Sequence, residues 1–164
     1  MIETAQRADP EEWRVVDALY PALRRFAAVA APADMEPDDL LQEALVRVLK
    51  RHPLSDLDNP GAYLRKTMVN LAASHHRRRG AERRALRLAA ASHDLQTDPA
   101  YPSDVAELGG LPPMQRAALY LAEVEGFRYE EIGQMLGCSR AAARKNASRG
   151  RERLRLALAL EDHR

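Results

Sequence analysis

Apolar residues in this chain recur every three or four positions through stretches fenced by proline and glycine, and nowhere do β-branched residues alternate as a strand requires. From Trp13, the residues Val16, Tyr20, Leu23, Ala27 and Ala30 mark an amphipathic helix that ends near Pro32. Pro37 and Asp38 offer the next start, and Leu40, Leu41, Ala44, Leu45, Val48 and Leu49 form a stripe up to Pro53. The segment from His52 to Asn59 is short and rich in Pro, Ser, Asp and Asn, which makes it a loop. Pro60 opens a third helix with Leu64, Met68, Leu71 and His75 on its buried side. After Pro112 and Pro113, Met114, Ala118, Leu121 and Ala122 mark a helix that stops at Gly126. Further helices run from about Tyr129 to Leu136 and onward from Ser139. The fold class is therefore all-α.

Between these two groups of helices the composition changes. An Arg/Ala-rich stretch can extend the third helix to about Ala91, and it gives way to a run containing Pro99, Pro102, Gly109 and Gly110. The expected organisation is two small helical domains, residues 1–80 and 111–164, joined by a linker over residues 81–110. A hydrophobic content of 46% is enough to build cores in both.

Several function classes are excluded. No apolar run approaches the roughly 18 residues of a membrane span, and the N-terminus lacks the basic start and apolar core of a signal peptide. The expectation is a cytoplasmic protein without membrane insertion. The single cysteine, Cys138, cannot make an internal disulfide, and the five histidines have no metal-ligand spacing, so neither metal nor cofactor is expected. Glu130 and Glu131 are adjacent and point about 100° apart on a helix, which rules out a facing carboxylate pair. His75 and His76 have no neighbouring nucleophile, and the glycines form no phosphate-cradling loop. No catalytic residue is assigned.

The net charge of +1 conceals a strong sorting along the chain. Residues 1–59 hold 7 Lys/Arg against 12 Asp/Glu, whereas residues 60–90 hold 8 against 1. The pattern repeats, with 2 against 8 over residues 91–138 and 7 against 1 over residues 139–155. Clustered Lys and Arg bind nucleic acid because each neutralised phosphate releases counterions. Two basic blocks, each preceded by an acidic one, predict two contact surfaces for nucleic acid.

The stretch from Tyr129 to Asn146 has the spacing of a helix-turn-helix. Ile132 and Leu136 share one face. Gly133 leaves room for a close crossing, Gly137 can adopt the left-handed conformation that ends a helix, and Ser139 can cap the next one. Cys138 fills a small apolar slot. The following helix carries Arg140, Arg144, Lys145, Arg149, Arg151, Arg153 and Arg155, the composition of a helix that enters a DNA major groove.

On these residues the chain resembles extracytoplasmic-function sigma factors of bacterial RNA polymerase. Leu111-Pro112, Ala122-Glu-Val-Glu-Gly-Phe-Arg-Tyr-Glu-Glu-Ile-Gly133, Leu136-Gly-Cys-Ser139 and Arg149-Gly-Arg-Glu-Arg-Leu-Arg155 are similar to sigma region 4. Leu19-Tyr-Pro-Ala-Leu-Arg-Arg-Phe26, Asp38-Asp-Leu-Leu-Gln-Glu-Ala-Leu-Val-Arg-Val-Leu-Lys50, and Ala62-Tyr-Leu-Arg-Lys-Thr-Met-Val-Asn-Leu-Ala-Ala73 before Arg77-Arg-Arg79 are similar to region 2. The resemblance implies a factor that binds core RNA polymerase and directs promoter-specific initiation. It places Asp39, Leu41, Gln42, Glu43 and Val46 on the clamp helices of the largest polymerase subunit, with region 4 meeting the flap. It assigns Ser55, Asp56, Asn59, Arg65, Lys66, Asn70, Arg77, Arg78 and Arg79 to the melted minus-ten element, where a flipped base needs a pocket and its backbone a basic track. Arg144, Lys145 and Arg149 would read the minus-thirty-five groove, together with Ser139 and Asn146, and Arg140 and Arg151 would hold its backbone. Promoter DNA, core polymerase and an anti-sigma factor are the implied partners.

The chain departs from the family pattern at Ala142 and Ala143, where a threonine and a branched apolar residue are usual, and at Asn146, where arginine is frequent. Looser packing of the recognition helix, or a different sequence preference, is the corresponding expectation. Tyr63 replaces a common tryptophan and keeps the aromatic body. Two other readings fit the residues: a stand-alone helix-turn-helix regulator, and a sigma-like decoy that binds polymerase or an anti-sigma partner without reading DNA.

Overall fold

In the computed structural model, the described residues are 10–89 and 111–161, and among them every regular element is helical. Helix α1 spans Pro10–Ala30, α2 Pro37–Leu49 and α3 Pro60–Ala89. Beyond the linker, α4 spans Pro113–Glu123, α5 Tyr129–Leu136 and α6 Arg140–Glu161. The expected loop between α2 and α3 contains one turn of 3-10 helix, Leu54–Asp56, because Leu54 is pulled into the core at 1% exposure and its N–H donates to Glu12 Oε1 at 3.3 Å.

Local chemistry sets most helix boundaries. Proline occupies the first turn of α2, α3 and α4, where the missing N–H breaks no intrahelical bond. Asn59 caps α3 by accepting from the Ala62 N–H at 2.9 Å, and Ser139 caps α6 by accepting from the Ala142 N–H at 3.1 Å. Glu131 Oε2 accepts from the Arg128 N–H at 2.8 Å and so satisfies a donor at the start of α5. Gly137 ends α5 at φ 67°, a left-handed conformation that any side chain would resist. The third helix runs through Gly80 into the residues expected to begin the linker.

Both groups of helices drain into a single core. Leu23 and Phe26 of α1, Leu40, Leu41 and Val48 of α2, and Leu64, Met68 and Val69 of α3 meet Leu121 of α4 and Ile132 of α5, all nearly inaccessible to water. Helices α1 and α3 both pack on α4, and α3 also touches α5. Polar contacts cross the same seam. Arg116 of α4 donates through Nη2 to the carbonyls of Ala30 and Ala31, at 2.7 and 3.0 Å, where α1 leaves acceptors unsatisfied. Among the described residues no helix is long and apolar enough to cross a membrane.

Candidate functional site

The outer face of α2 separates into the two classes of residue expected of a docking helix. Leu40, Leu41, Ala44 and Val48 point inward, while Asp39, Gln42, Glu43 and Val46 face solvent. The expected docking role of Leu41 is corrected here. At 1% exposure it is a core residue, placed there by its register with Leu40 and Ala44. Gln42 and Val46 instead line an apolar groove of about 280 Å³ with Trp13, Val16, Leu45 and Leu49. Trp13 is 57% exposed and Val46 51%, an unusual outlay of large apolar surface in water. The spacing of Trp13 with Val16 fits a buried stripe, yet Trp13 is exposed at the rim of this groove.

On α3 the basic track is split. Lys66, Asn70, Arg77, Arg78 and Arg79 are exposed. Arg79 pairs with Asp34 at 2.6 Å, Arg77 donates to Ser74 Oγ at 3.0 Å, and His75 lies 3.6 Å from the same Asp34. Arg65, expected on the phosphate track, is corrected to an interior position at 8% exposure. Its guanidinium lies 5.8 Å from the Phe26 ring centroid and 3.7 Å from the Glu125 carboxylate. Burial pushes Arg65 below its ordinary pKa more than Glu125 raises it. Tyr120 donates to the other Glu125 oxygen at 3.1 Å, and burial, then Glu125, holds its hydroxyl above the usual value.

Ser55, Asp56 and Asn59 are exposed, and the Asn59 carboxamide is occupied in capping α3. A polar cleft of about 180 Å³ opens between the end of α2 and α3, lined by Arg47, Arg51, Tyr63, Lys66, Thr67 and Asn70. His52 packs edge-on against Tyr63, with centroids 6.3 Å apart. Arg47 and Arg51 were legible as an i, i+4 pair, yet they fall outside the motif that drew the eye to α3.

In the second group of helices, α4, α5 and α6 form the helix-turn-helix anticipated from the glycine and serine spacing. A Cβ at Gly133 would stand 2.7 Å from the Cys138 carbonyl oxygen, so only glycine permits this crossing. Ala143 and Ala147 are fully buried, whereas Arg140, Arg144, Lys145 and Arg149 are exposed on the opposite side of α6. Of the two alanine departures, Ala143 lies in the core and Ala142 is half-buried. Asn146 is half-buried at the edge of this face, and Ser139 spends its hydroxyl on the helix cap. Arg151 is engaged by Glu123 of α4. Among the described residues no cluster of side chains suits a metal ion.

Comparison with known proteins agrees with both halves of this arrangement. The family model for Sigma-70 region 2 matches residues 15–82, and that for Sigma-70, region 4 matches residues 105–154. The chain is 32% identical over 149 residues to the ECF RNA polymerase sigma factor EcfG of Rhodopseudomonas palustris, covering 84% of this chain and 79% of that protein. It is 33% identical over 147 residues to the RNA polymerase sigma-E factor of Streptomyces avermitilis, covering 86% and 81%. With the ECF RNA polymerase sigma factor SigE of Mycolicibacterium smegmatis it shares 33% identity over 134 residues, and the match spans 51% of that longer protein. The solved sigma factor RpoE of Bartonella quintana, in complex with the anti-sigma factor NepR, superposes with a TM-score of 0.67 at 25% identity over 92% of this chain and 98% of that one.

Proposed function

We propose, from the premise that this chain belongs to the extracytoplasmic-function sigma factors of bacterial RNA polymerase, that it docks on core polymerase through α2 and reads a promoter through α3 and α6. The proposed division is residues 1–80 for polymerase docking and the minus-ten element, residues 81–110 as linker, and residues 111–164 for the minus-thirty-five element.

The observation that carries the reading is the outward basic face of α6. Ala143 and Ala147 anchor the helix, and Arg144, Lys145 and Arg149 stand clear with no ion-pair partner among the described residues. In that position Arg and Lys can donate to guanine edges in a major groove, while Arg140 holds the backbone. On α2, Gln42, Glu43 and Val46 supply a mixed polar and apolar surface beside the Trp13 groove, suited to a polymerase helix. Lys66, Asn70 and the α2–α3 cleft serve the melted minus-ten strand. An anti-sigma factor is the further partner we assign, on the strength of the Bartonella quintana sigma factor's complex with NepR.

Reconstitution tests this directly. The full chain mixed with core polymerase is expected to form a stable complex and to initiate from a subset of promoters recovered by sequencing the transcripts. A protein that binds duplex DNA but ignores core polymerase is a stand-alone regulator. One that binds polymerase without salt-sensitive promoter contact is a decoy.

A further inference from the structure

Helix α3 outruns the group of helices it packs in. Among its described side chains the last core residue is Ala72, yet the helix continues to Ala89, and every residue from Ala81 to Ala85 is exposed. Tertiary packing is the usual source of helix stability, and this end has none from those residues. Its composition points outward instead. Residues 77–85 hold five arginines against one acid, Glu82. Arg79 is engaged by Asp34 and Arg77 by Ser74, whereas Arg78 and Arg83 have no partner among the described residues.

The charges are also sorted around the helix. Lys66 and Arg84 are 18 positions apart, five whole turns at about 100° per residue, so their side chains leave α3 in the same direction. Asn70 and Arg77 fall within about 40° of that line. All four are exposed, and they make one straight stripe about 27 Å long at roughly 1.5 Å per residue. Glu82 points about 160° away from it, and Arg78 and Arg83 flank it on opposite sides. Gly80 lies within about 40° of the line, and a Cβ built there meets nothing within 4 Å. Glycine weakens a helix interior, and no neighbouring element needs the room at this position. Between Arg77 and Arg84 it leaves a low spot in the stripe, where a sugar–phosphate strand can approach the helix backbone. The Arg84 guanidinium bends toward the same spot, its Nε donating to the Gly80 carbonyl at 3.2 Å.

We propose that the projecting end of α3 is a further promoter contact, in which Arg84, flanked by Arg78 and Arg83, holds phosphates of the duplex spacer just upstream of the minus-ten element. The inference rests on the reading of Lys66 and Asn70 as minus-ten residues and extends their stripe. Arg84 stands about 21 Å beyond Asn70 along the helix, the length of about six base pairs at roughly 3.4 Å each. Beyond Ala89 the chain leads to the half assigned the minus-thirty-five element, which orients the far end of the stripe upstream. A merely solvated basic face has no need to hold one line over five turns or to place its acid on the opposite side. Contacts of this kind position the protein and carry no sequence information, so the spacer is held by its charge and not by its bases.

The test uses the full chain as holoenzyme with core polymerase, on a promoter fragment recovered by the reconstitution above. A photo-crosslinking amino acid placed at Ala81, close to the stripe, is expected to mark the spacer a few base pairs upstream of the minus-ten element. Arg84→Ala is expected to reduce the slope of log K against log salt by about 1 and to weaken the complex severalfold. Arg84→Lys should restore the slope. On fragments whose spacer phosphates at the crosslinked position are replaced by uncharged methylphosphonates, Arg84→Ala is expected to have no effect. Alanine is the best helix former and Arg84 is exposed, so helix content and melting temperature are expected to stay at their wild-type values. An unchanged salt slope for Arg84→Ala would overturn the inference, as would equal losses on charged and neutral spacers, or crosslinks that fall on polymerase and not on DNA. In each of those cases the holoenzyme still initiates and the promoter reading stands. A chain that forms no initiating complex with core polymerase defeats the promoter reading, and the inference with it.

Discussion

Arg65 and Glu125 face each other at 3.7 Å across the seam between the two groups of helices, with side chains only 10% and 15% exposed. The pair is asymmetric in its consequences. Removing the carboxylate strands a guanidinium in the interior, whereas removing the guanidinium with an apolar replacement leaves Glu125 bonded to the Tyr120 hydroxyl. Glu125→Ala is expected to lower stability by ~1–3 kcal/mol, and Arg65→Met to be close to neutral, in urea denaturation followed by circular dichroism. Equal losses for the two variants would show that the pair contributes through mutual attraction and not through burial.

The fate of Arg65 marks the limit of what was legible in the sequence. Periodicity located each described α-helix but not the 3-10 turn Leu54–Asp56, and the Gly133, Gly137 and Ser139 spacing anticipated the turn and cap that the structure contains. These are local effects, fixed by residues within a few positions of one another. Arg65 looked like its neighbour Lys66 because both belong to a basic run. Their separation depends on α4 and the following turn arriving about 60 residues later to cover one and not the other. Leu41 was ambiguous for a related reason. On an amphipathic helix the boundary between core and docking face is set by how far the neighbouring helices reach around it, which periodicity alone does not specify. Trp13 is the converse case, a residue with core-like spacing that lies at the surface.

Leu41 and its neighbours on α2 give a clean dissection of folding from docking. Leu41→Ala removes a side chain that is 1% exposed and is expected to cost about 2–5 kcal/mol of stability. Gln42→Ala, Val46→Ala and Trp13→Ala alter solvent-facing positions and are expected to change stability by less than about 1 kcal/mol while weakening association with core polymerase. Thermal melts paired with polymerase titrations separate the two effects. Full-strength polymerase binding by both the Trp13 and Val46 variants would remove the groove from the docking surface.

The glycines of the helix-turn-helix are expected to rank in a definite order. A methyl group at Gly133 meets the backbone oxygen of Cys138 at 2.7 Å, and backbone cannot swing aside, so Gly133→Ala should cost ~2–3 kcal/mol and loosen α5 against α6. At Gly137 the obstacle is the flexible end of Lys66, and the main penalty is the left-handed φ of 67°, worth about 1–2 kcal/mol. Chemical denaturation of the two variants checks the order. A larger loss at Gly137 would mean that Lys66 is held rigidly.

Salt dependence should distinguish the cations of α6. Arg144, Lys145 and Arg149 are exposed without ion-pair partners among the described residues, so replacing any one that touches phosphate is expected to reduce the slope of log K against log salt by about 1. A residue that instead reads a base edge should lose about 1–3 kcal/mol of discrimination at one promoter position, with the slope little changed. Arg151 is held by Glu123, so Arg151→Ala is expected to change the slope least. Binding of the holoenzyme to promoter fragments, measured over a series of salt concentrations, provides both readings.

Strong acidification should loosen the start of α5. The Arg128 N–H holds the Glu131 carboxyl below its ordinary pKa by hydrogen bonding to the charged form, with the Arg128 side chain adding a smaller effect. A depressed carboxylate contributes stability that is present above its unfolded value, near 4.3, and is lost as the pH falls through the lower folded value. The window therefore lies below about pH 4, and no change from this group is expected between pH 5 and 8. Amide exchange at Arg128 and through the first turn of α5, followed as the pH is lowered and corrected for intrinsic rates, should reveal the loosening. Glu131→Gln is expected to abolish this dependence, since its neutral amide still accepts the Arg128 N–H without titrating. If loosening persists in that variant, the acid-sensitive group lies elsewhere in the helix-turn-helix.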